Sequence, residues 1–230
     1  NPVTGMIINP YRFGSAAPPV DIGFQTVWKT DNAGSSVSNQ IKIPTRSGYT
    51  YSCHVDWGDS TSDDITTWND AAWTHTYASA GSYTVTITGT FGTIYFNSGG
   101  DRLKLTKINN FGAVGWATLE WSFSGCSNLT IDAEADGGFG LVTNFSGAWY
   151  NCAALTTFPL LDVSSGTDFS YAWGVCNGLT AFPLLDVSSG TNFYFAWYSF
   201  TALTSFPLLD LSSGTNFYAA WYGCNALIAL

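Results

Sequence analysis

The sequence predicts a β-rich chain in two parts, a sandwich of short antiparallel strands followed by a solenoid of short strands and short helices. Two observations carry this expectation. Three nearly identical 24-residue units, Leu155 to Gly178, Leu179 to Ala202 and Leu203 to Ala226, read L-T-x-F-P-L-L-D-x-S-S-G-T-x-F-x-x-A-W, and a fixed period of that length is the mark of a stacked array. Ahead of them, apolar residues alternate at Tyr51, Cys53, Val55 and Trp57 and again at Tyr83, Val85 and Ile87, the pattern of half-buried strands.

Taken in order, residues 1–20 carry Pro2, Pro10, Pro18 and Pro19 and read as an extended leader or linker. Residues 21–99 hold the sandwich, with Gly58-Asp59-Ser60 and Ala80-Gly81 as turns between strands. Residues 100–230 hold the array. Counting back through the A-W-x-x-C-x-x-L segment adds a 26-residue unit from Leu129 and a 24-residue unit from Leu105, so five units are visible. Leu227 to Leu230 would open a sixth, and their apolar character predicts a fragment or an end covered by another chain.

Within a unit, Leu203, Phe206 and Leu208 have the spacing of a strand that points them inward. Pro159, Pro183 and Pro207 deny that strand a donor, so it should be short and partly unpaired. Asp210 to Gly214 then turns the chain. Phe217, Ala220, Trp221, Cys224 and Leu227 follow at helical offsets, with Ser213 or Thr215 as N-cap. Cys126, Cys152, Cys176 and Cys224 share one repeat position that Phe200 occupies in the fourth unit, which favours buried free thiols over disulfides.

Two sets of residues carry a family resemblance. Val55-Asp56-Trp57-Gly58-Asp59, Thr74-His75-Thr76-Tyr77 and Gly81-Ser82-Tyr83-Thr84-Val85 resemble a PKD domain, an immunoglobulin-like β-sandwich, with Ser60 where the family usually has glycine. The A-W-x-x-C-x-x-L segment resembles the A-F-x-x-C-x-x-L of BspA-type leucine-rich repeats. The resemblance implies a bacterial surface protein or a phage tail-fibre or virion protein, with attachment or assembly as its role.

Charge narrows the function classes. Seven cations and eight acids precede residue 108, a formal charge of −1, whereas eight acids and no cation follow it, a formal charge of −8. Such an array repels phosphate backbones, so nucleic acid is not an expected partner. No apolar run is long enough to span a membrane. Low charge with abundant Ser, Thr, Asn and aromatic residues points to an extracellular place, on a cell or virion surface.

No catalytic constellation is expected. Asp162, Asp186 and Asp210 repeat at one equivalent turn, whereas an acid/base pair needs two different environments. No cofactor is expected, calcium apart: Asp132, Glu134 and Asp136 precede Gly137 as in the opening of a calcium loop, but Thr143 stands where its bidentate glutamate belongs, leaving a looser calcium site or a solvated bulge. The candidate binding residues are the outward aromatics Tyr150, Tyr171, Tyr194, Phe195, Tyr198, Tyr218 and Tyr222. Such rings offer contact area at little entropic cost. A host glycan or protein, another copy of the chain, a larger surface assembly, or mere cover for the layer beneath are the occupants this pattern admits.

Overall fold

A computed structural model describes residues 23–132 and 138–228 of the chain. The expected leader, residues 1–20, lies outside the described residues. The described residues hold eight strands, β1 (Phe24–Lys29), β2 (Gln40–Lys42), β3 (Tyr51–Asp56), β4 (Ser62–Ile65), β5 (Thr74–Thr76), β6 (Ser82–Phe91), β7 (Leu105–Asn110) and β8 (Thr130–Ile131), and the two alternating segments are β3 and β6. In β3 the alternation is complete, with Tyr51, Cys53 and Val55 buried and Ser52, His54 and Asp56 exposed.

Six strands form one mixed sheet in the order β4-β3-β6-β1-β7-β8, and β2 pairs with β5 in a second, two-stranded sheet. β7 and β8 are parallel, with Ile108 opposite Ile131. Both strands open array units, so the sheet continues past residue 99 and joins the first two units to the N-terminal strands. The core is shared in the same way. Phe24 of β1 packs against Phe91 at 5.8 Å, Phe111 at 6.4 Å and the edge of Trp116 at 4.9 Å, and one buried cluster runs from Phe24 to Ala220.

The helices expected in the array do not form. Among the described residues the only helix is a 3-10 turn, Ala71–Trp73. The reason lies in the backbone: each unit has two left-handed positions. Trp121, Gly147, Tyr171, Phe195 and Ala219 hold φ of 51, 61, 55, 53 and 53°, and Gly125, Asn151, Val175, Ser199 and Gly223 hold 78, 57, 63, 61 and 80°. A right-handed helix cannot run through such residues.

The backbone groups are satisfied by alternation instead. Phe169, Tyr171, Trp173 and Val175 donate their N–H groups to the carbonyls of Asn192, Tyr194, Ala196 and Tyr198 in the next unit. Ala172, Gly174 and Cys176, between them, donate three residues back to Phe169, Tyr171 and Trp173. This run of turns buries Phe169, Ala172, Trp173, Cys176 and Leu179, the same offsets a helix would bury. Thr215, expected as an N-cap, donates its hydroxyl to the carbonyl of Thr191 at 3.0 Å, and Thr191 does likewise to Thr167 at 3.1 Å.

The inward strand of each unit is also corrected. After β8 the described residues hold only single parallel bridges, Asn144 to Asp168, Asp168 to Asn192 and Asn192 to Asn216. The proline segments close on themselves, with the N–H of Leu161, Leu185 and Leu209 donating to the carbonyls of Pro159, Pro183 and Pro207, two residues back as in a γ-turn. That closure rotates the paired leucines. Leu161 and Leu185 are buried, while Leu208, expected inside, is 88% exposed, and its equivalents Leu160 and Leu184 are 71% and 65% exposed.

Side chains stack in columns along the array. Phe145, Phe169, Phe193 and Phe217 follow one another at 5.3, 5.6 and 5.2 Å, and Trp149, Trp173, Trp197 and Trp221 at 5.8, 6.0 and 5.1 Å. The cysteines are free thiols. Cys152, Cys176 and Cys224 donate to the carbonyls of Phe123, Trp149 and Trp197 at 3.2, 3.1 and 3.1 Å, each in the preceding unit. Burial pushes the Cys176 thiol up to about 12, so it stays protonated and can keep donating.

Candidate functional site

All seven aromatics singled out in the sequence lie on one side of the array and touch. Tyr150 meets Tyr171 edge-on at 5.9 Å, and Tyr171 meets Tyr194 at 5.3 Å and stacks on Phe195 at 5.3 Å. Tyr194 stacks on Tyr218 at 5.4 Å, Phe195 touches Tyr198 at 5.2 Å, and Tyr198 stacks on Tyr222 at 6.0 Å. Tyr218 and Tyr222 are 67% and 69% exposed, and the other five are half-buried.

The turn ladder places these rings. Tyr171 and Phe195 occupy left-handed positions, which aim successive side chains to the same side of the array. Sequence reasoning missed an eighth ring, Trp121, which holds the same left-handed position in the first unit and contacts both Tyr150 and Tyr171 at 5.9 Å. Its signal was positional: it is the repeat equivalent of Tyr171, in a unit whose consensus is worn. Trp121 rests on Gly147, whose φ is 61° and where a Cβ would come within 2.2 Å of the indole; glycine there lets the ring lie flat. The face carries phenols and no cation. Burial and the neighbouring Tyr194 phenol push Tyr171 up, so its hydroxyl is a neutral donor at physiological pH. Chemically the surface offers ring faces for stacking and phenols for hydrogen bonds.

The acidic candidates are engaged locally. Asp162 and Asp186 each accept from the N–H and hydroxyl of Ser164 and Ser188, and Asp210 accepts from the N–H of Ser212. Of the calcium candidates, Asp132 pairs with Lys107 at 2.9 Å, while Glu134 and Asp136 lie outside the described residues. In the N-terminal sheets, Asp56 accepts from the Gly58 N–H, Asp63 from the Trp57 indole at 2.7 Å, and Asp64 pairs with His54. His75 stacks on the buried Trp57 at 4.6 Å and bonds Asp59 at 2.9 Å. Each of the described side chains among these has a local partner, and among the described residues no group of three metal-ligating side chains converges. Also among the described residues, no helix is long and apolar enough to cross a membrane.

One further surface was not foreseen. Leu160, Leu184 and Leu208 form an exposed apolar row at the repeat period. Only the second leucine of each P-L-L triplet turns in, and the triplet itself does not say which. Comparison with family models, curated proteins and solved structures finds no match to this chain.

Proposed function

We propose that this is a non-enzymatic, surface-exposed recognition protein, a PKD-like β-sandwich carrying a leucine-rich solenoid that binds a host glycan or protein through the array. The observation that supports the reading is the continuous face of Trp121, Tyr150, Tyr171, Tyr194, Phe195, Tyr198, Tyr218 and Tyr222. A monomer rarely leaves an aromatic patch in water without a use for it. Its place is extracellular, on a cell or virion surface, and its chemistry is attachment. Soluble protein should bind whole cells or an immobilised glycan panel. The pair Tyr218→Ala with Tyr222→Ala, the two most exposed rings, should lower that binding at least tenfold with an unchanged melting temperature. Equal binding by the pair removes the aromatic face as the site.

The exposed row of Leu160, Leu184 and Leu208 favours a second reading. In it the protein is a structural component of a virion or surface layer that assembles through its repeats. Concentration-dependent association in light scattering, abolished by replacing the three leucines with serine, would select this reading over adhesion.

A further inference from the structure

Away from the array, where β2 ends beside the β4–β5 connection, there is a pocket of about 280 Å³ lined by Lys42, Pro44, Thr45, Trp68, Asn69, Asp70 and Trp73. Its floor is rigid. Trp73 is buried, with its indole N–H donated to the carbonyl of Thr67 at 2.9 Å. Asp70 caps the 3-10 turn, accepting from the Ala72 N–H at 3.0 Å through Oδ1. The Thr45 hydroxyl donates to the carbonyl of Trp68, pinning the loop that carries it.

The side chains at the mouth are uncommitted by contrast. Trp68 is 44% exposed although tryptophan is among the residues most often covered. Among the described residues its indole N–H, the Asn69 amide and the Lys42 ammonium have no hydrogen-bond partner, and Asp70 Oδ2 has none either. One flat apolar ring therefore stands beside two kinds of donor and two kinds of acceptor. The charges of Lys42 and Asp70 offset each other, so the site selects for no net charge.

We infer that this pocket, with Trp68 as the stacking platform and Lys42, Asn69 and Asp70 as the hydrogen-bonding groups, is a binding site for a neutral sugar ring. A pyranose is the ligand class that pairs an apolar C–H face with hydroxyls pointing outward from its edge, and each hydroxyl both donates and accepts. The ring face takes the C–H side; the amide, carboxylate and ammonium take the edge. Volume sets the length of what is held. Pockets for drug-sized ligands run to roughly 300–1,000 Å³, so this one accommodates about one sugar residue, with the half-open mouth leaving a chain free to continue into solvent.

The site is separate from the aromatic face of the array and does not depend on it. The test is saturation-transfer NMR on the whole chain with the methyl glycosides of glucose, galactose, mannose and N-acetylglucosamine, each alone. The expected result is transfer to at least one glycoside, strongest on the protons of its apolar face. Trp68→Ala should abolish the transfer, Trp68→Phe should retain part of it, and Asn69→Ala should weaken it severalfold, each with cooperative unfolding retained, because both side chains are exposed and neither holds an internal hydrogen bond. Tyr218→Ala with Tyr222→Ala should leave it intact. Absence of transfer from all four glycosides, or transfer that survives Trp68→Ala, overturns the assignment. Transfer lost only in the tyrosine pair would place sugar on the array face and likewise overturn it.

Discussion

Asp101 and Lys104 are both fully buried, and charged side chains are almost never so placed unless paired or bonded. Asp101 accepts from the Ser36 N–H at 2.9 Å, the Lys42 N–H at 2.7 Å and the hydroxyls of Ser35 and Ser36. The Lys104 ammonium donates to the carbonyls of Ser36, Val37 and Gln40 at 3.0, 2.8 and 2.8 Å. The two charges hold the β1–β2 connection as a bound ion would. Burial alone would push the Asp101 carboxyl up, but the Ser36 hydroxyl, the two N–H groups and the charge of Lys104 outweigh it and hold it below the ordinary carboxylate range. Asp59 is held low in the same way, by Thr61 and His75 acting against burial. A depressed folded pKa means that these carboxylates stabilise the fold fully above the unfolded value of about 3.9, and that the contribution is lost as pH falls through the lower folded values. Thermal melts across pH should show a plateau that gives way only below about pH 4. Asp101→Asn should lower the plateau by about 1–3 kcal/mol and flatten the acid limb; an acid limb as steep as in the wild type would sink this role for Asp101.

At the scale of the element, what distinguishes a unit is its pair of left-handed residues, and one of them is Val175 at φ 63°. A left-handed L-residue costs roughly 1–2 kcal/mol, and a β-branched one is a true outlier. The same position holds Gly125 and Gly223 in other units. Glycine gives back roughly 0.5–1 kcal/mol through unfolded-chain entropy, so Val175→Gly should be net stabilising by up to about 1 kcal/mol, raising Tm by roughly 2–4 °C. Ser60, exposed at φ 70° in the turn after Trp57, should respond to glycine in the same direction. Val187, buried and without a positive φ, is the contrast: Val187→Gly should destabilise. These positions also explain what could be read in advance. The period, the β-strand alternation and the buried residues of each unit were legible, because hydrophobic spacing records which side chains go in. The path between them was not, since turns that alternate local and inter-unit hydrogen bonds bury residues at the offsets of a helix. The seven aromatics were legible as a set for the same reason, whereas Trp121 and the exposed leucines depend on φ and on a proline closure that spacing does not encode. One cost of the arrangement is visible in the tryptophan column. The indole N–H groups of Trp149, Trp173, Trp197 and Trp221 are buried without an oxygen acceptor. The perpendicular rings of Phe158, Phe182 and Phe206, at 4.9, 5.1 and 5.0 Å from the first three, are the π-systems within reach of such donors.

At the scale of the whole molecule, the N-terminal sheet and the array share one sheet and one buried cluster. β7 and β8 bind the first two units to β1, and Arg46 reaches across to Glu120 at 2.6 Å while lying over the rings of Tyr49 and Tyr95. Beyond that junction the backbone hydrogen bonds between units run to immediate neighbours, through the same donors and acceptors at each step, while the Trp121 ring reaches past Gly147 to Tyr171. Trp149, Trp173 and Trp197 donate in turn to the carbonyls of Ala172, Ala196 and Ala220. The side-chain ladder is equally regular, with the Asn192 amide on Asp168 and the Asn216 amide on Asn192, both at 3.0 Å. A body built this way should lose one whole unit without losing its fold. Deleting residues 179–202 brings Trp173 against Trp221, Phe169 against Phe217 and the Asn216 amide against Asp168, so each bond and each ring column closes on an equivalent partner. The shortened chain should unfold in a single transition with an m-value lower by about one tenth, in proportion to the surface no longer buried. Deleting residues 179–200 instead shifts the register by two residues, setting Thr215 and Ala219 opposite Phe169 and Trp173, and Phe217 and Trp221, whose φ is not positive, opposite the left-handed Tyr171 and Val175. That variant should lose the array's cooperative transition. If both deletions melt alike in urea, the units are not held by register-specific stacking, and the columns of phenylalanine and tryptophan are not what aligns them.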